Sequence, residues 1–155
     1  MSLNAVKDYL KPWGRDKDIV ELDTSTATVA LAAAALGVEP ARIAKSITVR
    51  GFDGAIMVVA AGDARVDNKK FKSEFTFSPR LLSADEAQRQ TGFAVGGICP
   101  FALPDSVAVY LDQSLKRFAS VFPACGTASS LIEVSPDELE HYSQAIKWID
   151  VCKLM

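Results

Sequence analysis

Histidine is almost missing from this chain, which holds only His141 among its 155 residues. Any Ser-His or Cys-His dyad would have to recruit that one imidazole, which reads as structural or exposed in a C-terminal helix. Cysteine is scarce as well: Cys99, Cys125 and Cys152 are odd in number and form no C-x-x-C. Neither a disulfide framework nor a zinc site is suggested, and a reducing, cytoplasmic setting is expected. An excess of positive charge is lacking too, the net charge being −2. There is no global basic field, so nucleic-acid contacts would come from a local, salt-sensitive patch. The longest apolar runs, Val29–Leu36 and Ala55–Ala61, are too short to span a bilayer, and the N-terminus shows no signal-peptide pattern. No membrane partner is expected. A P-loop, a G-x-G-x-x-G fingerprint, internal repeats and low-complexity linkers are all absent.

What remains is ordinary globular composition, 49% hydrophobic and 23% charged, which argues against disorder. The length fits one domain over residues 1–155, large enough to bury about two-thirds of its unfolded surface.

Period-2 alternation marks Ala44-Lys45-Ser46-Ile47-Thr48-Val49-Arg50 as a strand. Its odd member is Lys45, which shares a face with Ile47 and Val49. Its ammonium either snorkels into water at the strand end or points into a cleft. Gly51-Phe52-Asp53-Gly54 is a turn, and Ala55–Ala61 returns as a strand buried on both faces, giving a hairpin.

Elsewhere the pattern is mixed. Helices are expected over 3–10, Val29–Leu36, Asn68–Phe75 and Ala84–Thr91, with another starting at Ser135-Pro136. A helical turn is expected at 40–44 and a loop at 62–67. Further strands are expected at 19–22, 76–77, 107–111, 130–134 and 146–151. The fold class is therefore α+β, a mixed twisted sheet or partly open barrel surrounded by helices, with hairpins.

Three stretches suit chemistry. Lys69, Lys70 and Lys72 form the densest basic patch, either a solvated helix face or a contact for a phosphate backbone. In Ala94-Val95-Gly96-Gly97-Ile98-Cys99-Pro100-Phe101, paired glycines before a proline fit either a tight bend or a backbone approached closely by a ligand. Pro123-Ala124-Cys125-Gly126-Thr127 is a second small-residue loop. Cys99 or Cys125 as a thiol nucleophile is a rival reading, with Lys45 as the nearby cation it would need.

In combination these stretches resemble the YbaK/ProX family, the editing domain found free-standing and inserted in bacterial prolyl-tRNA synthetases. Thr28-Val29, Ala32-Ala33 and Leu36-Gly37-Val38 resemble its first helix, and Ile43-Ala44-Lys45-Ser46 its lysine strand. Thr91-Gly92 with Gly96-Gly97-Ile98-Cys99-Pro100-Phe101 resembles its glycine loop. Gly126 followed by Leu131 to Leu139 is a further match, so the likeness runs from about Val20 to Leu139.

The resemblance implies a trans-editing hydrolase that cleaves the ester between a wrong amino acid and the 3′ end of a tRNA. It implies no metal, no other cofactor and no protein nucleophile, with Lys45 matching the required lysine. Substrate contacts are implied for Thr28, Ser46, Gly96, Gly97, Ile98, Cys99, Pro100, Ala124, Cys125, Gly126 and Thr127. Relatives place a serine or histidine around Gly126 where this chain has Ala124, Cys125 and Thr127. Cys99 stands where a serine or threonine is common. Small neutral lining suggests alanine, serine, threonine or cysteine as the cargo, with overlap among them. The expected partners are mischarged tRNA and a helper synthetase or elongation factor, without DNA. A non-catalytic module that binds tRNA acceptor ends or a synthetase is the alternative of a different class.

Overall fold

The computed structural model describes residues 2–155. Helix α1 (Ser2–Leu10) buries Val6 and Leu10 and stops at a 3₁₀ turn over Lys11–Trp13, where Pro12 and a left-handed Gly14 end it. Strand β1 (Val20–Glu21) precedes α2 (Val29–Leu36), which is capped by Thr28 Oγ1 accepting from the Leu31 N–H at 3.2 Å. Ala32 and Ala33 let α2 lie close on Ile43, Phe122 and Leu131.

Strand β2 (Ile43–Arg50) and β3 (Ala55–Ala61) form the expected hairpin, with Lys45 opposite Ala60 and Ser46 opposite Val59. Every residue of β3 is buried, as its continuous apolar run requires. Next come β4 (Ala64–Val66), α3 (Asn68–Phe75) and α4 (Ala84–Thr91), the last opened by a Ser83–Glu86 capping box. Then follow β5 (Ala108–Asp112), β6 (Phe122–Pro123), β7 (Ser130–Leu131), α5 (Pro136–Ser143), β8 (Trp148–Ile149) and β9 (Cys152–Leu154).

The architecture is α+β: an open five-stranded mixed sheet in the order β6-β2-β3-β5-β8, with two-stranded ribbons β1-β7 and β4-β9 beside it. The sheet does not close into a barrel. Among the described residues only β2–β3 is a hairpin of this sheet; β2–β6, β3–β5 and β5–β8 are parallel and are reached by crossovers. No helix among the described residues is long and apolar enough to cross a membrane.

Several local expectations are corrected. The stretch 62–67 contains β4, whose partner β9 lies at the far end of the chain. Residues 76–77 are not a strand: Thr76 is the left-handed cap of α3 at φ 71°. The helical turn at 40–44 yields to β2 after Arg42, because β-branched Ile43 already pairs with Phe122. The strand at 130–134 shortens to two residues, with Val134 bridging Val121 separately. The one at 146–151 breaks into β8 and, after Val151, β9.

Candidate functional site

Lys45 leaves β2 where three loops meet. Its Nζ donates to the Gly62 carbonyl at 3.4 Å, a long contact, and it forms no ion pair among the described residues. Burial pushes the ammonium below the ordinary lysine value of 10.5, with Cys152 and Asp63 acting the other way. Asp63 itself is committed elsewhere, since Arg117 grips both its oxygens at 2.6 and 3.0 Å. A cation held this loosely is available to a ligand.

Gly62 is what permits the arrangement. A Cβ there would stand 2.0 Å from the Pro40 carbonyl oxygen and 2.7 Å from Val29 Cγ1, so only glycine lets this backbone pass under α2.

Beside Lys45 lies a cavity of about 220 Å³. Its walls include Thr26, Thr28 and Val29 at the start of α2, and Ala44, Lys45 and Ser46 from β2. Gly96 and Ile98 from the glycine loop and Ala124 and Leu131 from the β6–β7 region complete them. Thr28 and Val29 place the positive end of the α2 dipole at this wall. The Ser46 Oγ is buried without a hydrogen-bond partner, an arrangement that costs free energy until a ligand or water meets it. The Gly96 and Ile98 N–H groups have no acceptor among the described residues, whereas the Gly97 N–H is spent on Ala94 at 3.0 Å.

The loops hold one another by close backbone approach. A Cβ on Gly97 would meet the Gly126 carbonyl carbon at 2.6 Å, and one on Gly96 would touch Ala27 Cβ at 3.0 Å. Thr26 Oγ1 ties the segment before α2 to the Ala128 carbonyl at 3.1 Å.

The structure therefore brings Lys45, Thr28, Ser46, Gly96, Ile98 and Ala124 to one cavity and leaves the other candidates outside its wall. Gly97 and Gly126 sit behind it as packing contacts, Gly126 against the Ser2 carbonyl at φ 97°. Pro100 lines a different depression with Tyr9 and Leu103. Thr127 Oγ1 shares a hydrogen bond of 2.6 Å with Ser130 Oγ.

Cys99 and Cys125 are fully buried. Burial pushes the Cys99 thiol up to about 12 and that of Cys125 well above its ordinary value, so neither is a ready thiolate. His141 is exposed and stands edge-on to Trp13. Of the basic patch, Lys70 is occupied by Asp150 and the Cys152 carbonyl at 3.1 and 2.9 Å, while Lys69 and Lys72 are exposed. Sequence reading missed Gly62, Thr26, Val95 and Leu131. The first had one visible signal, a glycine directly after an unbroken apolar strand.

The family model described as "Aminoacyl-tRNA editing domain" matches residues 23–142, a span that holds the whole cavity wall. The chain belongs to the aminoacyl-tRNA editing domain family. It is 51% identical to the uncharacterized protein YwhH of Bacillus subtilis (strain 168), over 99% of this chain and 98% of YwhH. It is 26% identical to a protein of Enterococcus faecalis (strain ATCC 700802 / V583) provisionally named Cys-tRNA(Pro)/Cys-tRNA(Cys) deacylase EbsC, over 69% and 66% of the two chains. A solved structure of a candidate trans-editing enzyme for prolyl tRNA synthetase superposes with a TM-score of 0.87. That pair shares 31% identity and covers 98% of this chain and 97% of the other. The editing-domain fold thus extends over the elements on either side of 23–142, including α1 and β9.

Proposed function

We propose that this protein is a trans-acting deacylase that hydrolyses the ester joining a small amino acid to the 3′-terminal adenosine of a mischarged tRNA. The observation that carries the reading is the Lys45 ammonium, half-buried at the wall of a small cavity and unclaimed by any carboxylate among the described residues. At about 220 Å³ the cavity is smaller than the roughly 300–1,000 Å³ of typical ligand sites, which suits an aminoacyl group with the nucleoside outside. Alanine, serine, threonine or cysteine fits walls of Thr28, Ala32, Ala44 and Ala124.

An aminoacyl ester is already activated, so positioning and charge stabilisation suffice. Attack on the carbonyl carbon by water, or by the cargo's own thiol or hydroxyl, sends the carbonyl electrons onto oxygen. The free N–H groups of Gly96 and Ile98 are the donors available to that oxyanion. Lys45 binds the terminal ribose or phosphate, or the carbonyl oxygen. The intermediate collapses by breaking the ester C–O bond, and the ribose oxygen leaves with the proton given up by the attacking water, thiol or hydroxyl. Where the cargo's own side chain attacked, water then opens the resulting lactone or thiolactone. The Ser46 hydroxyl is available to the substrate amine. Removing one oxyanion donor costs about 2.7–4 kcal/mol of transition-state stabilisation. The deep burial of Cys99 and Cys125 speaks against a thiol nucleophile.

A synthetase or elongation factor that supplies tRNA choice fits the chain's net charge of −2. The test is to incubate the pure protein with tRNAs for proline charged with alanine, serine, threonine or cysteine and follow amino-acid release. Turnover on at least one, lost in Lys45→Ala with the circular dichroism unchanged, is expected. No release from any of the four would leave a non-catalytic acceptor-end binder as the better description.

A further inference from the structure

The β4–β9 ribbon carries a feature that neither the core nor the cavity explains. Arg65 and Lys153 stand directly opposite each other across it, both exposed. Like charges facing each other across an antiparallel pair destabilise it, and a ribbon this short gains nothing structural from them. Lys69, at the start of α3, opens onto the same cleft. Arg65 and Lys69 form no ion pair among the described residues, and Lys153 has only a loose one, 3.8 Å from Asp67. The other oxygen of that carboxylate, Oδ1, caps α3, accepting from the Lys69 and Lys70 N–H groups at 2.9 and 3.0 Å. Three cations therefore face solvent together on a chain whose net charge is −2.

Their position is as informative as their sign. The ribbon begins two residues after Gly62, whose carbonyl accepts the long contact from the Lys45 ammonium, and is closed at that end by the Met155 N–H on the Asp63 carbonyl at 2.8 Å. Arg65 follows Gly62 by three positions, across the turn at Gly62 and Asp63 that opens the ribbon.

We propose that Arg65, Lys153 and Lys69 form a phosphate track that holds the single-stranded acceptor end of the tRNA leading into the Lys45 cavity. The proposal rests on the deacylase reading for the identity of the polyanion. Of the patch Lys69, Lys70 and Lys72 it keeps Lys69, which lines the cleft, and joins to it two ribbon cations. Lys72 does not line that cleft, and Lys70 is spent on Asp150 and on the Cys152 carbonyl.

The test uses the full chain and an uncharged proline tRNA transcript, with affinity measured by fluorescence anisotropy from about 50 to about 200 mM salt. The triple variant Arg65→Gln/Lys69→Gln/Lys153→Gln should bind roughly tenfold or more weakly at the low-salt end. Its salt slope should fall by about 2, at roughly 0.7 per single-strand phosphate contact. Lys70→Gln should bind as wild type. On aminoacyl-tRNA the triple variant should raise KM and keep kcat, and on a 3′-aminoacyl-adenosine without phosphates it should match wild type. Unfolding midpoints at or above wild type would show that the like-charge pair is a cost to the fold.

Unchanged affinity and salt slope in the triple variant would overturn the track, as would a wild-type protein that does not bind the transcript at the low-salt end. Unchanged RNA affinity with lost binding to a synthetase would overturn it in favour of a protein-docking face. Wild-type binding without hydrolysis would sink the deacylase reading alone, since the variant's loss of affinity is read without turnover.

Discussion

Arg117 holds both carboxylate oxygens of Asp63, and Asp63 adjoins the glycine whose carbonyl touches Lys45. The pair keeps the nearest acidic group from capturing the ammonium. Arg117 is the main cause of the depressed Asp63 pKa, ahead of the smaller influence of Lys45.

Arg117→Met should therefore free Asp63 to pair with Lys45 and draw the ammonium from the cavity. Because the pair is about a third exposed, its direct loss should cost only about 0.2–1 kcal/mol of stability. The deacylation rate should fall further than that, by roughly tenfold, following a charge effect of about 1.4 kcal/mol at the reacting centre. The Arg117→Met/Asp63→Asn double variant should recover most of the rate. Steady-state kinetics of the two variants, with urea unfolding as the stability measure, check this.

The lowered Lys45 pKa sets a direction with pH. The ammonium persists below its folded-state value, so rate enhancement over spontaneous ester hydrolysis should be flat there and decline as pH rises through it. The decline should set in below 10.5. Stability runs the other way. Between the folded value and 10.5 the unfolded chain binds more protons, so this group's contribution to stability rises with pH. Lys45→Met should melt at a higher temperature than wild type at pH 7, with the gap narrowing as pH approaches 10.5. Thermal melts of both proteins across that range measure it.

Gly62→Ala should damage fold and site together. The added Cβ has a backbone oxygen 2.0 Å away and must push β3's end from the 3₁₀ turn over Pro40–Arg42. A loss of about 1–3 kcal/mol is expected, of the kind that overpacking produces. The displaced carbonyl would also release Lys45, so KM should rise at temperatures where the variant remains folded. Urea midpoints and Michaelis curves at reduced temperature separate the two effects.

The paired variant Cys99→Ala/Cys125→Ala should retain deacylation. Both thiols are shut away from solvent, and the Cys99 Sγ donates inward to the Phe101 carbonyl at 3.7 Å. Their removal leaves small voids worth roughly 1 kcal/mol each, visible as a lowered unfolding midpoint. A rate loss of more than about tenfold, beyond what 1.4 kcal/mol explains, would restore the thiol hypothesis.

Some of this molecule is written in local sequence. Alternation around Lys45, the unbroken apolar run of β3 and the caps at Thr28, Ser83 and Ser135 set their elements from within. Each depends on neighbours a few positions away. The glycine pair at Gly96 and Gly97 fits a tight bend or a close approach, and local sequence does not choose between them. Tertiary structure alone decided that Gly97 meets Gly126 and that Gly62 carries the Lys45 ammonium. It also decided that Ala64–Val66 becomes a strand by pairing with Cys152–Leu154. Those contacts join segments far apart in the chain, and their energies depend on backbone distances that no local periodicity encodes. For the same reason Cys99 and Gly96 part company within one loop: three residues of backbone carry the chain from the cavity wall into the core.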